Sequence, residues 1–257
     1  MSIDRMPSLF IGHGSPMNAI EDNEFSRTWV ELGQKLPRPK GIVCISAHWE
    51  TRGGFVTSMP VPRTIYDFYG FPPELYARSY PAPGSPDLAD RIRELSNGRM
   101  IQPDFSWGLD HGTWSVLARM YPKADIPVVQ LSLDRNQGQE YHYQVGQELA
   151  ALRQEGILIL GSGNLVHNLR LVQWDDKQFD WAVEFDAFVK NAIADNDPDQ
   201  LINYEKAGQA AALSINSAEH YLPLLYILGT RVKEDKVTFY NEKVTMGSIS
   251  MRCVEFS

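Results

Sequence analysis

Four short runs, residues 9–11, 42–45, 128–131 and 157–160, are apolar almost without interruption. Alternating apolarity would mark strands with one wet face, whereas continuous runs of this length mark strands covered on both faces. Helical patterns lie between them. Residues 86–95 and 113–120 form two. Within residues 139–153, Tyr141, Val145, Leu149 and Leu152 make an apolar stripe, and Trp181, Phe185, Phe188 and Ala192 make another within residues 181–194. Strand, loop and helix in repetition predict an α/β fold with a central, largely parallel or mixed sheet flanked by helices. Residues 237–240 and 248–256 alternate better and are expected to add antiparallel edge strands. With no internal repeat, low-complexity tract or linker in view, residues 1–257 are expected to form one domain.

Composition narrows the function. Lysine and arginine number 24 against 32 aspartates and glutamates, a net charge of −8. An acidic surface argues against phosphate-backbone binding and against anionic membranes, so neither nucleic acid nor membrane is an expected partner. The first six residues lack the basic and apolar regions of a secretory signal, and the longest apolar runs, such as residues 221–229, are too short to span a bilayer. The two cysteines, Cys44 and Cys253, sit in strand-like runs and are expected to be buried thiols. Together these features predict a cytoplasmic protein.

Residues 60–84 resist the strand–helix pattern. They hold prolines at 60, 62, 72, 73, 81 and 83 and six aromatics, Tyr66, Phe68, Tyr69, Phe71, Tyr76 and Tyr80. Proline removes backbone donors and fixes φ, which excludes a long helix or a central strand. A segment of this kind is either an aromatic-pinned surface loop or a wall over a flat ligand. Arg63 and Arg78 within it are expected to be solvated.

The six histidines are not scattered. In an open α/β sheet, ligands bind beyond the carboxyl ends of the strands. His13 directly follows one apolar run, His48 another, and His167 lies just past a third. Glycines flank them at 12, 14, 161 and 163, where turns that present a side chain need backbone freedom. His220 follows Ser217, a candidate N-cap, which would place it in the first turn of a helix running through Tyr226 and favour the neutral, metal-binding imidazole. His111 opens another helix, as a proton donor beside the site or as a capping residue. His142 flanks the apolar stripe of its helix and is expected to be structural.

Neutral imidazoles without thiolate partners suit iron, zinc, manganese or copper. Two chemistries remain open at this point: Fe(II) with free positions for O2 and an organic substrate, or Zn(II) with a water in a hydrolase or lyase. A binding module without turnover would leave the clustered histidines unexplained. Ser15 and Ser162 lack the G-x-S-x-G elbow of serine hydrolases, and GSGN at 161–164 is not a complete dinucleotide fingerprint.

Seven segments carry a further resemblance: LFIGHGSPMN at 9–18, ISAHWETRG at 45–53, TIYDFYGFPPELY at 64–76, YPAPGSP at 80–86, WGLDHGTW at 107–114, GSGNLVHNL at 161–169 and EHYLPLLYILG at 219–229. In this order they resemble the class III (LigB-type) extradiol ring-cleavage dioxygenases, most closely the 4,5-DOPA extradiol dioxygenase branch. The resemblance implies His13, His48 and His220 as metal ligands, and His167 as acid/base that in this branch also approaches the metal. It implies a place beside the substrate for His111. It also implies an enzyme that opens catechols such as L-DOPA with O2 and gives a muconic semialdehyde-type product. Related enzymes of the protocatechuate type have glutamate where this chain has His220, so Fe(II) is expected for dioxygenase activity while Zn(II) also suits the all-histidine set. Catechol and O2 are the expected partners, in a monomer or small homo-oligomer.

Overall fold

The computed structural model describes residues 5–96, 99–175 and 177–257; the first four residues, on which the N-terminal expectation partly rests, lie outside them. Among the described residues, ten strands run Ser8–Gly12 (β1), Gly41–Thr51 (β2), Gly54–Thr57 (β3), Ile101–Asp104 (β4), Val128–Asp134 (β5), Ile157–Gly163 (β6), Val237–Tyr240 (β7), Val244–Thr245 (β8), Ile249–Ser250 (β9) and Cys253–Phe256 (β10). The helices are Glu24–Lys35 (α1), Pro73–Tyr76 (α2), Pro86–Leu95 (α3), His111–Met120 (α4), Gln139–Leu149 (α5), Asp180–Ala194 (α6), Pro198–Ile202 (α7), Gln209–Ser214 (α8) and Leu222–Gly229 (α9).

Eight strands make one sheet in the order β4-β3-β5-β2-β6-β1-β10-β7, while β8 and β9 pair separately. The middle of the sheet, β5-β2-β6-β1, is parallel. The antiparallel pairings of β10 with β1 and β7 form one side. On the other side, β3 runs antiparallel to β5 and parallel to β4. This is the mixed α/β sheet that the apolar runs predict.

The continuous runs are explained by what each face meets. Leu9, Ile11, Ile42, Cys44, Leu158 and Leu160 pack with Trp29 and Leu32 of α1 and Trp114 and Leu117 of α4. Their neighbours Phe10, Val43, Ile45 and Ile159 point the other way, among side chains of α3, α5, α6 and α9. Each fully buried large apolar side chain contributes about 1.5–3 kcal/mol, so both faces must be apolar for both helical layers to dock.

Edge elements were harder to foresee. β3 and β4 were not expected, and Pro103 within β4 is tolerated because that strand has a partner on one side only. The single strand expected at 248–256 is two, β9 and β10, interrupted at Met251 and Arg252. Cys44 and Cys253 are buried free thiols, as expected. Among the described residues, no helix is long and apolar enough to cross a membrane.

Candidate metal centre and its surroundings

The carboxyl ends of β1, β2 and β6 deliver the first three histidines. His13 leaves β1 with its backbone N–H bonded to the carbonyl of Gly163, 3.0 Å away, at the end of the neighbouring β6. His48 lies within β2, not beyond it. The β2–β5 register jumps between Ile45 and Glu50, leaving residues 46–49 in an irregularity that re-aims side chains. His167 lies four residues past β6, where its N–H bonds the Ser214 carbonyl at 2.9 Å.

His220 reaches the same place by a route that differs from the expected one. It is not in the first turn of a helix capped by Ser217: α9 starts at Leu222, and the Ser217 hydroxyl donates instead to Glu219 at 2.8 Å. Two other contacts hold His220. Its carbonyl accepts the Asn164 N–H at 2.8 Å, and its Nδ1 lies 3.2 Å from Glu219 Oε1. Gly163 makes this approach possible, because a β-carbon there would overlap the His220 carbonyl oxygen.

His13, His48 and His220 offer ring nitrogens that all lie within 4.8 Å of one another. Their suitability as ligands follows from the hydrogen bonds behind them. The Ser162 hydroxyl has one proton, which it donates to the Gly112 carbonyl at 2.6 Å. It therefore accepts from His13 Nδ1, 3.0 Å away, which fixes that proton on Nδ1 and leaves Nε2 bare. His13 Nε2 stands 3.1 Å from His48 Nε2, a separation that two ligands can adopt around a common ion with metal–nitrogen bonds of about 2.1 Å. A neutral, thiolate-free nitrogen set of this kind fits a divalent transition metal.

Electrostatics keep the imidazoles neutral. Burial, then the neighbouring His48 and His220, hold His13 well below the ordinary histidine range. Burial and then His167 do the same to His220. Burial and then His111 lower His48 to about 3, against the opposing pull of Asp67. His167 falls to about 4 through burial, which outweighs the raising effect of Glu219. Its ring stacks on His220, with centroids 3.4 Å apart and planes 7° from parallel. His167, Glu219 and His220 form a second group of donor atoms within 4.8 Å.

His111 is the first residue of α4, whose N-cap is Asp110. Its ring centroid lies 3.9 Å from that of His48 and 5.7 Å from that of His13. Asp110 is itself pinned by Ser46 and Gln130 at 2.7 Å each, and burial raises its carboxyl above the ordinary range. Gly112 has no room for a side chain, since a β-carbon would come within 2.9 Å of His48 Cδ2. His142 stands apart from these groups, fully buried on α5 with its Nδ1 3.0 Å from the Tyr226 hydroxyl, in keeping with a structural role.

The 60–84 segment is pinned and lies against the candidate site. Backbone bonds tie Ile65 to Leu109 at 2.7 Å and Leu109 to Arg63 at 2.8 Å, and the Trp114 indole N–H bonds the Ile65 carbonyl at 2.9 Å. Phe68 stands edge-on to His111, with centroids 5.6 Å apart. Arg63 and Arg78 are exposed, as expected. Beside Phe68, Asp67 accepts from the His111 backbone N–H and from its Nδ1, both at 2.9 Å. Burial pushes the Asp67 carboxyl up, but the His111 hydrogen bond and the neighbouring imidazoles outweigh it and leave the group below the usual carboxylate range. Asp67, Ser162 and Glu219 were not singled out from sequence as site residues. Their only sequence signal was membership of the seven segments that carry the family resemblance.

Comparison with known proteins gives four findings. Residues 8–254 match the family described as the catalytic LigB subunit of aromatic ring-opening dioxygenase. The chain is 50% identical to a 4,5-DOPA dioxygenase extradiol of Escherichia coli K12, covering 99% of this chain and 96% of that one. It is 37% identical to a protein of the same name from Beta vulgaris, covering 97% and 96%. Among solved structures, an uncharacterized protein of Escherichia coli K12 superposes with a TM-score of 0.87 at 46% identity, covering 98% of this chain and all of that one.

Proposed function

Because this chain belongs to the LigB family of aromatic ring-opening dioxygenases, we propose that it opens catechols such as L-DOPA with O2, giving a muconic semialdehyde-type product. The cofactor in this reading is Fe(II), held by His13, His48 and His220. The observation that carries it is the convergence of three neutral imidazoles, one of them with its bare nitrogen fixed by Ser162. When bound there, the metal would supply Lewis-acid and redox chemistry towards oxygen donors.

The chain's own residues supply the rest. His167 is neutral at physiological pH, so it can accept a proton from a catechol hydroxyl and later return it to an oxygen of the opened product. The Glu219 carboxylate, in the same donor group, stabilises the imidazolium formed in between. His111, its Nδ1 engaged by Asp67, presents its other nitrogen for hydrogen bonding to the substrate. Phe68 and the segment around it wall off the ring and exclude water. Residues 1–257 act as one catalytic domain in this reading, supported by the pairing of β1 with β10 from the two ends of the chain. Every named group comes from one chain, so a monomer or small homo-oligomer suffices. A cytoplasmic setting would keep both Fe(II) and the buried thiols reduced.

The all-histidine donor set also favours a second reading, a Zn(II) hydrolase or lyase. Anaerobic reconstitution with Fe(II), followed by a broad catechol panel with O2 uptake and visible absorbance recorded, separates the two. Uptake with any catechol supports the dioxygenase. Its absence across the panel overturns it, and O2-independent turnover with Zn(II) establishes the second reading.

A further inference from the structure

Asp67 is the one carboxylate of the 60–84 segment that touches the histidine cluster among the described residues, and it touches two of its members. Oδ1 accepts the backbone N–H of His111 at 2.9 Å, and Oδ2 accepts from His111 Nδ1 at 2.9 Å. The same Oδ2 stands 3.6 Å from His48 Nδ1, too far for a formed hydrogen bond but close enough to become one after a small shift. The three residues group within 4.8 Å.

The His48 contact matters because of what lies on the other side of that ring. His13 Nε2 is bare, since its proton is held on Nδ1 by Ser162. Without metal, the 3.1 Å contact between His13 Nε2 and His48 Nε2 requires the proton to sit on His48 Nε2. A metal ligand needs that nitrogen bare, so on metal binding the His48 proton must reside on Nδ1. Asp67 is the acceptor nearest to hand.

We propose that Asp67 is a positioning residue that fixes the proton of His111 on Nδ1 and receives that of His48 when metal binds, so that the aromatic wall and the metal centre are set by one carboxylate. This inference rests on the reading of His48 as a ligand and His111 as a neighbour of the substrate. Carboxylates behind ligating histidines orient the ring and raise its basicity, and losing one lowers metal affinity by roughly 10–100-fold. The oxygen on Asp67 that serves His111 also lies nearest His48, so its loss affects the ligand and the substrate-facing imidazole together.

The test has two parts. In the metal-free wild-type protein, long-range 1H–15N imidazole spectra should show His111 as the Nδ1–H tautomer; an Nε2–H tautomer overturns the proposal without any variant. Asp67→Asn keeps an oxygen for the His111 backbone but can place an amide where Oδ2 was. In that variant, Fe(II) affinity should fall by about 10–100-fold and kcat should fall by more than KM rises, with partial recovery in Asp67→Glu. Unchanged affinity and kcat overturn it. Tyr66→Phe removes the Tyr66–Arg78 hydrogen bond of the wall at 2.9 Å while leaving Asp67 in place. If it reproduces the Asp67→Asn pattern, the effect is wall loosening and the proposal fails. The affinity and tautomer readouts need no turnover. A wild-type protein without O2 uptake that still shows both effects would refute the dioxygenase reading and leave this one standing.

Discussion

His167 and His220 lie ring on ring, 3.4 Å between centroids, yet the compact candidate ligand set groups His220 with His13 and His48. Stacking presents the face of His167 to its neighbour and leaves its edge nitrogens free for substrate, which suits an acid/base more than a ligand. His13→Ala and His48→Ala are therefore expected to lose metal, measured by elemental analysis. His167→Ala should retain much of the metal and lose turnover by on the order of 10²-fold or more. Equal metal loss in all three would make His167 a ligand.

Gly163 tests how tightly the centre is built. Replacing it with alanine forces the new methyl against the His220 carbonyl, and overpacking of this kind costs about 1–3 kcal/mol. Gly163→Ala is expected to fold with a lowered melting temperature and to bind metal more weakly than an alanine substitution at exposed Gly138, which has open space around it. Indistinguishable metal affinity in the two variants would show that His220 can relax.

The buried histidines give the metal-free protein an acid-labile stability. His48 at about 3, and His142 and His167 at about 4, are depressed first by burial, and the unfolded chain titrates near 6.5. Between those values the unfolded chain takes up protons that the folded one refuses, so this stability is complete above about pH 6.5 and is lost as pH falls towards 4. Chelated protein should show a melting temperature that drops steadily from pH 6.5 to 4.5, with a shallower slope in His142→Gln. A flat profile across that window contradicts the assigned neutrality.

Far from the site, Arg153 is fully buried and bonds Asp235 as well as the carbonyls of Met6, Thr230 and Phe256. It ties both ends of the described chain to the turn after α9. Asp235→Asn leaves that guanidinium without its counter-charge and should cost about 3–5 kcal/mol by denaturant unfolding. A loss below 1 kcal/mol would mean that the three carbonyls suffice.

What could be read from sequence was local. His13, His48 and His167 declare themselves because each follows an apolar run by a few residues, and strand ends in this fold class meet at one edge. His142 reads as structural for the same local reason, its place on an apolar stripe. The relations that build the site are long-range and leave no periodic trace. Asp67 meets His111 across 44 residues, and Ser162 meets His13 across 149. His220 was placed by a capping rule that Glu219 overrides, because the Ser217 hydroxyl finds a carboxylate before it finds a helix. The irregularity that aims His48 arises from pairing with β5, which the residues of β2 alone do not encode.

Coupling of O2 to catechol cleavage at the proposed histidine centre is tested most directly by its stoichiometry. Fe(II)-reconstituted protein given a limiting catechol in an oxygen-electrode cell should consume one O2 for each catechol lost, as semialdehyde absorbance rises in step. Catechol loss without O2 uptake, or turnover that persists under argon, would contradict it.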